Sequence, residues 1–236
     1  MKHILKSTLA ALGLACALSA AAAPIIPTFT TFGTLAGATF GGSGIPNNAV
    51  AITNLTGLTL GLTATPRFFA PSPTNNGLGV FNALAGVSPN PPSSAADPYA
   101  LWNFSFFAGG TAVANTFFRL FYDFNGAIGN DQNTHGVIGF AGNAAGTPSQ
   151  NSFNLGMDFL AVTNSFPGVV APAPASVFNP NAAGQYTFAL AAYASSTGAE
   201  LGRSAIVVNV QAVPEPGTFA LAGLALLGLA AARRRT

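Results

Sequence analysis

The chain has 236 residues, half of them hydrophobic and only 6% charged, with a formal net charge of +2. That excess sits at the ends, in Lys2, Lys6, Arg233, Arg234 and Arg235; between them Arg67, Arg119 and Arg203 stand against Asp97, Asp123, Asp131, Asp158 and Glu200, a mildly acidic body. Binding nucleic acid requires clustered cations that displace counterions from phosphates, so three scattered arginines exclude that class.

The opening "MKHILKSTLAALGLACALSAAAAP" passes from a basic start through an apolar stretch to small residues, the layout of a secretory signal peptide. Ala20 and Ala22 form the small pair at the cleavage site, so residues 1–22 read as a signal helix and the mature chain begins near Ala23. Cys16 is the one cysteine, and the lipobox position three residues before it holds Gly13 where a large aliphatic residue is needed. The mature chain therefore has no thiol chemistry.

Residues 23–213 form a body of about 190 residues, enough for a sizeable core. It is rich in Ala, Gly, Asn, Thr and Phe and nearly free of Lys and Glu, which suits strands and turns better than amphipathic helices. Strands are expected in chain order at "TFTTFGTL" with "ATF", "AVAITNLTGLTLGLTA", "ALWNFSFF", "NTFFRLFYDF", "HGVIGFAG", "FNLGMDFLAVTN", "GQYTFALAAYA" and "RSAIVVNVQAV". In "ALWNFSFF", alternation sets Trp102, Phe104 and Phe106 on the core face, against Leu101, Asn103 and Ser105. "NTFFRLFYDF" carries aromatics on both faces and reads as a central strand.

The last two strands read as a hairpin with 195–202 as its loop and Tyr186, Phe188 and Leu190 turned to the core. Turn-rich stretches such as "GGSGIPNN", "PSPTNNG", "SPNPPSSAADP" and 167–184 separate the strands. The pattern predicts one all-β body, an antiparallel two-sheet sandwich.

The body offers little for chemistry. His135 is its one histidine, too few for a zinc site of three or four ligands, and is expected as a polar loop residue. A Ser-His-Asp triad with Asp123 or Asp131 is arithmetically available, yet "GGSG" around Ser43 lacks the nucleophile elbow. "YDFNGAIGNDQNTHG" is the most oxygen-rich loop: Asp123, Asn125 and Asp131, with Asn130 and Asn133, are candidate calcium ligands, although the same residues build ordinary turns. Tyr99, Tyr122, Tyr186, Tyr193 and Trp102 would stack on sugars if exposed in a row; alternation assigns Trp102 to the core. No cofactor is expected.

The chain closes on "VPEPGTFALAGLALLGLAAARRRT". Residues 218–232 carry no charge and are followed by three arginines, an arrangement that lodges a helix in a membrane and holds the cationic end in the cytoplasm. At about 1.5 Å per residue those 15 residues reach ~22 Å, so snorkelling of Arg233, Arg234 and Arg235 completes the span. Pro214, Glu215 and Pro216, the apolar run and the basic end together resemble a PEP-CTERM sorting signal.

That resemblance covers residues 214–236. It implies export across the inner membrane of a Gram-negative bacterium, transient anchoring by the tail, processing by exosortase, and delivery to the cell surface or an exopolysaccharide matrix. Pro214, Glu215 and Pro216 would be recognition residues. The expected role is that of a non-enzymatic surface or biofilm-matrix protein; a secreted hydrolase or a glycan- or calcium-binding module with the same tail are the alternatives.

Overall fold

The computed structural model describes residues 23–89, 98–165, 168–174, 177–213 and 224. The expected signal helix with Ala20 and Ala22, the motif Pro214, Glu215 and Pro216, the apolar run apart from Leu224, and Arg233, Arg234 and Arg235 lie outside them. Among the described residues no helix is long and apolar enough to cross a membrane.

The body is all-β, with two mostly antiparallel sheets and, for helix, short 3-10 turns at Val113–Asn115, Gln132–Thr134 and Asp158–Leu160. Its strands are β1 (Thr31–Gly33), β2 (Val50–Leu55), β3 (Leu58–Pro66), β4 (Thr74–Asn75), β5 (Val80–Leu84), β6 (Trp102–Gly109), β7 (Phe117–Tyr122), β8 (Gly136–Ala141), β9 (Ser149–Phe153), β10 (Val169–Ala171), β11 (Gly184–Tyr193) and β12 (Glu200–Gln211). One sheet runs β1-β2-β3-β6-β9 and the other β10-β8-β7-β11-β12-β5-β4.

The sheets face each other across a core of aromatic side chains at period two. Trp102, Phe104 and Phe106 of β6 point inward, as alternation predicts, and meet Phe118, Leu120 and Tyr122 of β7 and Tyr186, Phe188 and Leu190 of β11. Phe104 stacks on Phe188 at 4.6 Å, and Trp102 meets the same ring edge-on at 5.9 Å. With Trp102 buried, it serves packing and not sugar stacking.

β7 lies between β8 and β11, the central position its two aromatic faces predict. Its outer face needs a cover, and the first residues of the body supply one. Ile25 packs on Phe121, Ala189, Ala191, Tyr193 and Ala205, while Pro24 bridges to Asp131 and Thr28 to Ala205. The alanines of β11 and β12 leave room for this close approach. On the other sheet, Leu35 and Phe40 cover Val50, Ile52 and Phe107.

Three expectations are corrected. "AVAITNLTGLTLGLTA" is a hairpin of β2 and β3 and not one strand: Leu55 pairs with Leu58, and Gly57 takes φ +72° in the two-residue turn. "FNLGMDFLAVTN" is not a strand. β9 ends at Phe153, and the buried Asn154 stops the ladder by donating to the carbonyls of Ala100 and Trp102 while accepting from the amides of Ala100 and Gly156. Third, pairing is not wholly antiparallel. β5, which the sequence did not reveal, joins β12 in parallel, Val207 opposite Val80 through Gln211 opposite Leu84.

The β11–β12 hairpin forms as expected, with pairing continuing to Tyr193 and Glu200. The Pro-Ala stretch contributes β10 to the edge of β8, and Phe178 reaches the core against Phe124 and Tyr186.

Candidate functional site

The polar residues singled out from sequence converge in part. β7 ends at Tyr122, and the next residue, Asp123, turns its carboxylate under the outer face of β11. Its Oδ1 accepts from the Asn125 amide at 2.8 Å and its Oδ2 from Asn130 Nδ2 at 3.0 Å. Asn130 is itself tied to the Asn125 carbonyl. His135, directly before β8, places Nε2 2.6 Å from Thr187 Oγ1 and 3.7 Å from Asp123 Oδ2. The Thr187 hydroxyl lies 3.5 Å from the same carboxylate oxygen.

His135 lies in the loop before β8, as expected, but its side chain is fully buried and not solvated. The 3-10 turn at Gln132–Thr134 folds the loop back over the sheet and drives the ring onto Thr187. The Nδ1 atom stands 3.1 Å from the Asp131 carbonyl, which can only accept, so Nδ1 carries a hydrogen. Burial pushes the Asp123 carboxyl above the usual range, opposed by Asn130, His135, Asn125 and Thr187.

A Ser-His-Asp relay needs nucleophile and acid on opposite imidazole nitrogens. Here the hydroxyl and the carboxylate share the Nε2 side, and His135 and Asp123 have no side-chain exposure. This geometry ties β7, β8 and β11 together and presents no nucleophile to a substrate. Thr187 was missed from sequence because alternation marks it only as outward-facing.

The calcium candidates do not converge on one point. Asp131 accepts from the Asn133 amide and caps the 3-10 turn, Asn125 Oδ1 accepts from the Ala127 amide, and Asp123 faces inward to His135. Among the described residues no group of three or more His, Cys, Asp and Glu side chains is placed to hold a metal ion. Tyr122, Tyr186 and Tyr193 are buried with Trp102, so they form no exposed row with Tyr99. Burial also raises the Tyr122 hydroxyl above its ordinary range, and it donates to the Leu160 carbonyl at 2.6 Å.

The charged groups at the hairpin end pair with each other. Arg203 makes two bonds of 2.6 Å to the Glu200 carboxylate, which hold that carboxyl below the usual range. Arg119 lies 4.5 Å over the Tyr193 ring.

At the other end, β12 finishes at Gln211, whose carbonyl accepts from the Ala85 amide at 2.8 Å. Ala212 and Val213 follow, exposed, and deliver the chain to its tail. Residues 212–235 match the PEP-CTERM protein-sorting motif. No curated protein and no solved structure matches the chain.

Proposed function

We infer, from a tail that marks its bearer as an exported protein sorted by exosortase, that this chain is a non-enzymatic structural or adhesive protein of the cell surface or the exopolysaccharide matrix of a biofilm. Residues 1–22 direct export and are removed after Ala22. Residues 23–213 are the working body. Residues 218–232 lodge in the inner membrane of a Gram-negative cell, and Arg233, Arg234 and Arg235 stay on its cytoplasmic side. Pro214, Glu215 and Pro216 are the residues that the processing enzyme recognises.

The motif match at 212–235 carries this reading. Two properties of the body support it. Its only imidazole is spent on a buried cross-link between strands, and its low charge suits a life among neutral polysaccharide without strong electrostatic attraction to other surfaces.

Intact-mass measurement of the extracellular form, in paired strains with and without exosortase, tests the route. The expected product begins near Ala23 and lacks the apolar run and the arginines, and without the enzyme the protein stays in the membrane fraction with its tail. An extracellular product that keeps both ends, or the same product in both strains, contradicts it.

A further inference from the structure

The two ends of the body differ in character. The hairpin end carries Arg119, Glu200 and Arg203, with Leu201 half exposed. The end from which the tail departs displays large apolar side chains: Phe69 is 91% exposed, Val177 92% and Phe68 60%. Single exposed apolar side chains are ordinary, but two adjacent exposed rings such as Phe68 and Phe69 mark a contact surface.

These rings lie beside the root of the tail. Phe68 and Phe69 follow β3 after one residue, Arg67. Pro66 pairs with Trp102, and the Arg67 amide donates to the Leu101 carbonyl, so the loop is rooted in the core. Pro71, Ser72 and Thr74, just beyond the rings, share one depression with Leu84 and with Gln211, the last residue of β12. Phe68 is held at φ +48°, a backbone region that bulky residues seldom adopt. The fold therefore constrains this loop in a conformation that leaves both rings outside.

Arg67 adds a cation to the same place. Arg67 is buried, 7% exposed; its guanidinium sits 4.1 Å over the Tyr99 ring and 5.1 Å from the Phe68 ring, and among the described residues its Nε has no hydrogen-bond partner, so it braces the loop from behind. Exposed phenylalanines on a loop braced from behind suit a membrane–water interface, where apolar rings sink below the headgroups.

The length of the connection names the occupant. From Gln211 to Thr218, where the apolar run begins, seven Cα steps span at most about 25 Å. A compact body of this size is about 40 Å across. A leash shorter than the body keeps the tail end turned to the bilayer, and the rings lie beside the leash's root.

We propose that the Phe68 and Phe69 loop, with Arg67 behind it, is a lipid-contacting surface that seats the body on the bilayer holding its tail. The seating rests on the anchoring role given to residues 218–232 above. It brings Ala212 and Val213, the root of the tail, to the headgroup layer, within reach of a membrane-embedded processing enzyme, and it ends when the tail is removed.

The test uses the full chain reconstituted into vesicles of phosphatidylcholine and phosphatidylglycerol, with and without acyl-chain-brominated lipid. The wild-type emission of Trp102, which is buried, is subtracted. Interfacial side chains sink about 5–10 Å below the headgroups, so bromine is expected to remove about half the added emission of a Phe69→Trp variant. A Leu201→Trp variant at the hairpin end is expected to lose none. Chains that float with the vesicles while Phe69→Trp stays as unquenched as Leu201→Trp overturn the seating alone, including the case where the rings dock on a protein. Chains that fail to float overturn the anchor and the seating together.

Discussion

Phe188→Ala is expected to lower the unfolding free energy by about 4–5 kcal/mol, read as a shift of the urea midpoint at unchanged slope. Phe188 is fully buried at the centre of the inter-sheet core, 4.6 Å from Phe104 in a stacked arrangement and edge-on to Trp102. Truncation leaves a cavity between two sheets whose backbones are fixed by long ladders and cannot close over it. The transfer and cavity terms for a buried Phe run to about 3–5 kcal/mol, and the lost ring contacts add about 1. The emission of Trp102 should shift to the red in the same variant. A loss below about 1 kcal/mol would mean that the sheets do not meet at this ring.

Asp123→Ala is expected to cost about 2–4 kcal/mol, because it leaves the Asn125 amide and one hydrogen of Asn130 Nδ2 without their acceptor and opens a hole beneath His135 and Thr187. Asp123→Asn keeps the shape and separates charge from packing. Burial raises the folded-state Asp123 pKa, so the native chain binds more protons than the unfolded chain from about pH 4, the ordinary aspartate value, up to that raised pKa. Stability from this group is therefore fully present below about pH 4 and is lost as pH rises through the window.

Glu200 acts in the opposite sense. Arg203 lowers its pKa, so its contribution is present above about pH 4.3 and is lost as pH falls through the folded value. Subtracting the Asp123→Asn stability curve from that of the wild type removes the Glu200 contribution. The difference is expected to fall with rising pH above about 4; a flat or rising difference contradicts the burial of that carboxyl.

Much of the inter-sheet core was legible from sequence because period two sorts side chains between faces. Trp102, Phe104 and Phe106, and Tyr186, Phe188 and Leu190, stand where alternation puts them. Alternation does not say what covers the outer face. Thr187, Ala189 and Ala191 are buried because residues 24–28 and the loop carrying His135 lie over them. No local signal marks that cover, since His135 and Thr187 are 52 residues apart.

The parallel pairing of β5 with β12 escaped for the same reason. It joins Val80 to Val207 across most of the body, and five residues between turn-formers are a faint strand signal. Asn154 escaped because its neighbours Phe153 and Leu155 are apolar, and only its side-chain bonds to Ala100 and Trp102 turn the chain out of the ladder. The oxygen-rich loop was visible as composition, whereas the direction each carboxylate takes depends on the fold.

The central claim is that the apolar run ahead of Arg233, Arg234 and Arg235 lodges in the inner membrane with the body outside. Two reporters fused after Thr236 test it most directly: a green fluorescent protein that matures only in the cytoplasm and an alkaline phosphatase active only in the periplasm. A bright fluorescent fusion and a silent phosphatase are predicted; an active phosphatase with a dark fluorescent fusion would contradict the account.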